Sequence, residues 1–253
     1  MDRIARVTQT VILAAGSGSR LASTRGDVPK PLMTVGGVPL IWHALEHARA
    51  AGCTDAVVVI GHDGARVRAS IEALAHPMHI AFVETPDATL PNGVSLLASE
   101  PLTGPAFYLQ MVDHLFADVT LANLSVTPWS PGEVGRVLVD RAPVNLDLDD
   151  ATKVQLAGRV VTAIGKGLPQ WDAIDAGCFL LTRGVYDALR GVPDGEARSV
   201  SSGMRRLVAQ GALGAVDVNG VAWMDVDTPA DREAAEQLLL SAAVSRGPVV
   251  AAR

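Results

Sequence analysis

Between Val11 and Leu21 the chain reads VILAAGSGSRL, and shortly afterwards, from Asp27 to Leu32, DVPKPL. Gly16 and Gly18 permit backbone conformations and a close approach that side chains forbid. Successive backbone N–H groups in such a turn can point at phosphate oxygens, while Arg20 adds a planar guanidinium fork and Lys30, set between two prolines, a compact point charge. This is equipment for holding a polyphosphate. It is not a dinucleotide fingerprint, because Gly16-Ser17-Gly18-Ser19-Arg20-Leu21 puts leucine where the third glycine of GxGxxG should stand. Nor is it a P-loop, since GxxxxGK followed by Ser or Thr is absent. A glycine-rich turn at the carboxyl end of a first strand remains, which is where open α/β sheets bind ligands. Glycine pairs are common enough that spacing alone leaves a purely structural turn open.

The elements that must position this loop alternate. TQTVILAA (Thr8 to Ala15) and VVVIG (Val57 to Gly61) are apolar on both faces and flank the helical stretch PLIWHALEHARAAG, as central strands of a helix-covered parallel sheet do. Further strands are expected at His79 to Glu84, Ala106 to Val112, Gly135 to Asp140, Lys153 to Gly165 in two pieces, and Ala176 to Thr182. From about Arg136 to Asp175 the strands are joined by short turns such as Ala157 to Arg159, which predicts a hairpin-bearing insertion. Helices around Val185 to Arg190 and Val200 to Gln210 follow, then strand pieces ALGAVDV and VAWMDV. A closing helix is expected from Pro229 to Leu240, with Thr228 as N-cap and Asp231 and Glu233 in the first turn. The fold class is three-layer α/β/α with a mixed, mostly parallel sheet. One domain over 1–253 is expected, with a loose tail at 244–253.

Bulk properties agree. The chain is 49% hydrophobic, 19% charged and 4% aromatic, the composition of a well-packed protein with an aliphatic core. Its net charge of -6 comes without a basic cluster, which argues against a nucleic-acid partner. Cys53 and Cys178 lie outside any CxxC spacing and read as small core residues in a reducing compartment. MDRIARVTQT has no apolar signal region and no run is long enough to span a membrane, so a cytoplasmic protein is expected. Oligomeric state is left open, a homodimer included.

LAAGxGxRL followed by a PKP lysine resembles the signature of the nucleotidyltransferases that activate sugar and alcohol phosphates. The resemblance implies a Rossmann-like, GT-A-like fold, with the nucleotide held by Leu13, Ala14, Ala15, Gly16, Ser17 and Gly18 and its phosphates by Arg20 and Lys30, the two catalytic cations. PNGVSLLAS resembles the base and ribose segment and points to Asn92, Gly93 and Ser95; the residues by themselves also fit a helix N-terminus capped by Asn92. QMVDH and WMDVDTPAD resemble the family's metal motifs, implying Asp113, Asp225 and Asp227. Asp147 to Thr182 is similar to the CTP:inositol-1-phosphate cytidylyltransferases. This implies Lys166 on the acceptor's phosphate, Asp175 on its hydroxyls, and CTP and a phosphomonoester as small-molecule partners. Family members often fuse this domain to a membrane-embedded transferase; the present stretch shows no such segment, so the product is expected to pass to a separate protein.

The carboxylates can also be weighed physically. In extended chain, residues i and i+2 face the same way, so Asp225 and Asp227 present two carboxylates on one side. With Asp113 at the end of a central strand they supply the hard oxygens Mg²⁺ prefers. A phosphomonoester attacking a nucleotide's α-phosphorus is already largely dianionic, its second pKa being about 6, so no general base is needed. Charge neutralisation and in-line alignment are. Asp147, Asp149 and Asp150 read as a solvated turn.

His43-Ala44-Leu45-Glu46-His47 matches the HxxEH string of inverted zinc proteases. The helical wheel buries Ile41, Ala44, Leu45 and Ala48 and leaves His43, Glu46 and His47 on the polar side, so zinc is not expected. His62 and His114 lie near strand ends at the edge of the site. The function expected is condensation of CTP with inositol 1-phosphate to CDP-inositol and pyrophosphate, with Mg²⁺. The alternatives are a relative acting on a sugar 1-phosphate, choline phosphate or a phosphonate, a glycosyltransferase using Asp225-Val226-Asp227 as its DxD, or a catalytically dead nucleotide sensor.

Overall fold

The computed structural model describes residues 6–16, 28–118, 120–144 and 146–246. In chain order it runs β1 (Gln9–Leu13), the small ribbon β2 (Thr34–Val35) and β3 (Val38–Pro39), α1 (Leu40–Ala50), β4 (Asp55–Ile60), α2 (Gly64–Ala73), β5 (His79–Glu84), α3 (Asn92–Ala98), β6 (Ala106–Met111) and β7 (His114–Phe116). The second half contains β8 (Gly135–Asp140), β9 (Lys153–Ala157), β10 (Val160–Gly165), β11 (Ala173–Thr182), α4 (Gly184–Arg190), α5 (Val200–Ala209), β12 (Leu213–Asp217), β13 (Trp223–Asp225) and α6 (Pro229–Arg246). The nine long strands form one sheet in the order β5-β4-β1-β6-β11-β8-β12-β10-β9.

The strands are apolar on both faces because both faces are covered. In β1, Ile12 packs with α1, α2 and Ala235 of α6, while Val11 and Leu13 pack with α3, α4 and α5 on the other side. β5-β4-β1-β6 are mutually parallel, as the alternating strand and helix pattern implied. Beyond β6 the only parallel ladder among the described residues is β8 with β12; β11 runs antiparallel to both β6 and β8. The expected hairpin is β9–β10, and it does more than protrude. β10 pairs with β12 at Val160↔Gly214, and β9 returns to β11 at Ala173↔Val154 and Ile174↔Lys153. The strands β11-β8-β12-β10-β9 thereby close on one another. Register shifts in β10 and β11 supply the bends such closure needs.

The strand piece expected in VAWMDV is β13, which pairs with β7 in a separate two-stranded ribbon. The start of α6 matches the sequence reading for Thr228 and Asp231, whereas Glu233 falls past the first turn. Thr228 Oγ1 accepts the Asp231 N–H at 3.2 Å and the Asp231 carboxylate accepts the Thr228 N–H at 2.6 Å, a reciprocal cap. The helix runs to Arg246, past the expected end at Leu240, so the first residues of the tail expected to be loose are helical. Cys53 and Cys178 are free and buried, and burial pushes the Cys53 thiol up to about 12.

Arg136 is fully buried in β8. Its guanidinium bonds Glu133 Oε1 at 2.6 Å and Oε2 at 3.1 Å and donates to the carbonyls of Leu124, Thr127 and Pro128 at 3.0, 2.6 and 2.6 Å. It also lies 4.6 Å from the centroid of the Trp129 ring. One side chain thus ties the 121–133 loop to the sheet.

The HxxEH string dissolves on inspection of its partners, but not as the helical wheel implied. His43 donates to the Val35 carbonyl and Glu46 takes Arg49 and His76. His47 turns inward. Its Nε2 accepts the Thr120 N–H at 3.1 Å, so Nδ1 carries the proton and donates to Gln110 Oε1 at 2.9 Å; the Gln110 amide in turn donates to Thr10 Oγ1 at 3.0 Å. The wheel misplaced His47 because its partners come from β6 and the segment after β7. Burial lowers its pKa to about 4, against Gln110 and Asp118. The unfolded chain, with an ordinary histidine near 6.5, therefore binds the proton first as pH falls. Stability should drop between about pH 6.5 and pH 4, by roughly 3 kcal/mol at the low end from this group. Urea unfolding of the wild type across that range should show the slope, and His47→Gln should remove that share of it.

Candidate functional site

The carboxyl ends of β1 and β6, adjacent parallel strands, open into a cleft of about 670 Å³. Leu13, Ala15 and Gly16 line it from the β1 turn, Asp113 from the turn after β6 and His114 from the start of β7. Gly16 keeps a φ outside the left-handed region and has open space where a Cβ would stand. The Ala14 side chain is buried on the far face, and its N–H is committed to the Val59 carbonyl at 2.9 Å. Ser17, Gly18 and Arg20 lie outside the described residues.

Lys30 enters from a turn stiffened by Pro29 and Pro31. Its ammonium lies 2.6 Å from Asp113 Oδ2 and 2.5 Å from Asp227 Oδ1, with the lysine side chain only 7% exposed. Burial alone would lower the lysine's pKa; the two carboxylates outweigh it and raise the value. Burial would likewise raise Asp113, but Lys30 and His114 hold it well below the usual carboxylate range. Asp225 lines the same cleft but is not a partner of Lys30; burial, with Asp227 and Asp113 nearby, pushes its carboxyl up against the opposing pull of His114.

Among the described residues no group of three His, Cys, Asp or Glu side chains is arranged to hold a metal. Two carboxylates do converge on one cation, Lys30 Nζ, and Mg²⁺ is commonly held by one or two carboxylates with the remaining positions filled by phosphate oxygens and water. Asp113 and Asp227 fit that pattern.

The other end of the cleft is built by the hairpin region. Lys166, exposed at the end of β10, pairs with Asp150, and Lys153 donates to the Lys166 carbonyl at 2.8 Å. Asp147, Asp149 and Asp150 form the exposed turn expected, and Asp147 and Asp150, with Thr152, also line this end. Asp175 sits in an irregular stretch of β11 where Gly177 adopts φ +71°, and its Oδ1 accepts the Gly177 N–H at 2.8 Å. Burial pushes its carboxyl up to about 6 against that hydrogen bond and the His114 charge.

Of the PNGVS segment, Asn92 and Ser95 reach the cleft and Gly93 does not. Asn92 does not cap its own helix: its Oδ1 accepts the Val200 N–H at 2.9 Å, at the first turn of α5. A Cβ on Gly93 would stand 2.4 Å from the Arg198 carbonyl oxygen, so this glycine lets α3 approach the segment before α5. Ser95 donates to Thr85 Oγ1 at 3.1 Å. Sequence reasoning missed Ser201 and Trp223, which also line the cleft, and gave His114 no role. The DH pair closing a strand was the available signal for His114; Ser201 had none. His62 contributes its N–H to the Ala15 carbonyl at 3.2 Å and is absent from the lining.

The comparisons with known proteins match this layout. The sequence model of the MobA-like NTP transferase domain fits residues 10–136. The bifunctional IPC transferase and DIPP synthase of Rubrobacter xylanophilus is 37% identical over 242 residues, covering 94% of this chain and 54% of that protein. The CMP-5'-(3-aminopropyl)phosphonate synthase of Streptomyces rubellomurinus is 30% identical over 260 residues, covering 90% of this chain and 38% of its own. The chain spans about half the length of the IPC transferase relatives it matches. The solved inositol-1-phosphate CTP transferase from T. maritima superposes with a TM-score of 0.84 at 25% identity, over 94% of this chain and 97% of that one. No helix of the described residues is long and apolar enough to cross a membrane. Matched from the first strand into β8, and superposable on a solved nucleotide transferase along nearly its whole length, the chain belongs to the MobA-like NTP transferase family.

Proposed function

We propose that this chain condenses CTP with inositol 1-phosphate to give CDP-inositol and pyrophosphate. The observation that carries the reading is Lys30 held between Asp113 and Asp227 at one end of a cleft whose other end presents Lys166 and Asp175. The relatives add support, since the solved T. maritima protein is named for CTP and inositol 1-phosphate.

In this reading the triphosphate lies against the backbone of Gly16, Ser17 and Gly18, with Arg20 and Lys30 on its oxygens and Asn92 and Ser95 toward ribose and base. Asp113 and Asp227 hold Mg²⁺, which supplies charge neutralisation at the phosphates when bound. Asp225 is a neighbour of that site rather than its second ligand. Lys166 leaves Asp150 for the acceptor's phosphate, and Asp175 accepts from a hydroxyl of the polyol. The phosphomonoester dianion then attacks the α-phosphorus, the bond to the bridging oxygen breaks, and pyrophosphate leaves with that electron pair. Every proton stays where it was. The glycosyltransferase alternative gives way to the family assignment.

A pyrophosphate-release screen of four nucleoside triphosphates against inositol 1-phosphate, sugar 1-phosphates, choline phosphate and an aminoalkylphosphonate tests the proposal. CTP with inositol 1-phosphate should be the fastest pair. Release with another pair and none with this one would overturn the acceptor assignment, and the aminoalkylphosphonate is the informative competitor because of the Streptomyces relative.

A further inference from the structure

His114 sits where the two ends of the cleft meet. Its Nδ1 lies 3.0 Å from Asp113 Oδ1, and since a carboxylate only accepts, this nitrogen carries the donated proton. Lys30 takes the other oxygen, Oδ2. The ring cannot turn freely. One face stacks on Trp223, centroids 5.6 Å apart and planes within 10°. Against the imidazole stands Gly177, where an added Cβ would come within 2.4 Å of ring atoms Cδ2 and Nε2. Trp223 is itself fixed, donating its indole N–H to the buried Asp140 at 2.9 Å and stacking on Phe116 at 5.9 Å. The β7–β13 ribbon pairs His114 with Asp225 and fixes the backbone as well.

We propose that His114 is a positioning residue: clamped between Trp223 and Gly177, it holds Oδ1 of Asp113 so that Oδ2 is presented to the cation in the cleft. The arrangement has a physical rationale. A free carboxylate rotates about its last bond and offers either oxygen, whereas one with an oxygen committed to a fixed donor presents the other in a single direction. Hydrogen bonds that orient a ligating carboxylate typically change metal affinity by about 10–100-fold when lost. The same histidine abuts Gly177, whose N–H holds Asp175.

The inference rests on the metal and CTP assignment above, and the test separates the two. Binding of Mn²⁺–CTP to the full chain is read by water-proton relaxation, with no turnover involved. His114→Leu, which keeps bulk and loses the donor, should weaken that binding about 10–100-fold and raise the Mg²⁺ needed for half-maximal rate in parallel, leaving the acceptor's KM unchanged. His114→Asn, whose amide can reoccupy the Nδ1 position, should restore affinity to within about fivefold. If the wild type itself fails to bind Mn²⁺–CTP, the metal assignment falls and this role with it. If the wild type binds and His114→Leu binds equally well, only the positioning role falls. A His114→Asn protein as weak as the leucine variant also overturns it, and this comparison decides the matter should circular dichroism show the leucine variant unfolded.

Discussion

Lys30→Ala should lower turnover by about 10³-fold or more, the loss typical when one fixed cation is removed from a phosphoryl-transfer site. Stability should move too, and in an unusual way. The lysine neutralises two carboxylates within 2.6 Å in a largely buried setting, so its removal leaves like charges facing each other. Breaking a buried pair by deleting one partner costs about 3–5 kcal/mol. Asp113, now held well below the usual carboxylate range, would move upward once Lys30 no longer opposes burial. Its folded-state pKa is depressed in the wild type, so its contribution is present above the unfolded value near 3.9 and fades as pH falls below it. The variant should lose that contribution. Millimolar Mg²⁺ should then recover more thermal stability in Lys30→Ala than in the wild type, because Lys30 no longer competes for the carboxylates, while activity stays lost. A variant that is inactive, fully stable without Mg²⁺ and unmoved by it would contradict this picture of the site. Thermal melts with and without Mg²⁺, beside a pyrophosphate assay, decide it.

Arg136→Ala should be the most destabilising single change outside the cleft, about 3–5 kcal/mol. The guanidinium satisfies Glu133, which is 7% exposed, and three loop carbonyls at once. Truncation strands all of them and removes the cation from the Trp129 face. For a chain of this size that corresponds to a melting point lower by roughly 10 °C. Arg136→Lys should rescue little, since an ammonium cannot serve four partners across the span of a planar fork. Arg136→Met with Glu133→Leu should recover part of the loss, because no charge is then stranded although the carbonyls still are. Urea denaturation of the four proteins checks the order.

The parallel half of the fold was legible because its cause is local. β1 and β4 are apolar on both faces, and the pattern survives in any window long enough to show it. The cleft was legible through its motif residues, and the structure brings Lys30, Asp113, Lys166, Asp175, Asp225 and Asp227 to one cavity. Their pairings were not legible. Lys30 meets Asp113 across 83 residues and Asp227 across 197, and Asn92 caps a helix 108 residues away. Periodicity says which face of an element is apolar; it is silent on which distant element arrives there. His47 shows the same limit. A polar residue on the polar side of a wheel can still be enclosed when another strand brings a glutamine to it. The closure of β9 onto β11 rests on two residue pairs and two irregular registers, which no propensity signals.

The shared family model runs from residue 10 to residue 136 and ends as β8 begins. What lies beyond is the five-strand closure, with β9, β10 and β11 supplying Lys166 and Asp175. Among the described residues, the sheet ladder that joins the closure to the parallel half is the antiparallel one of β11 with β6, while α3 packs across the boundary onto α5. Such a construction is inheritable in two parts. Substitutions that reshape the hairpin side can accumulate without touching the ladders that hold Lys30's surroundings. A lineage built this way can exchange one alcohol phosphate for another while its way of gripping a triphosphate stays constant, and relatives should diverge fastest on the far side of that ladder.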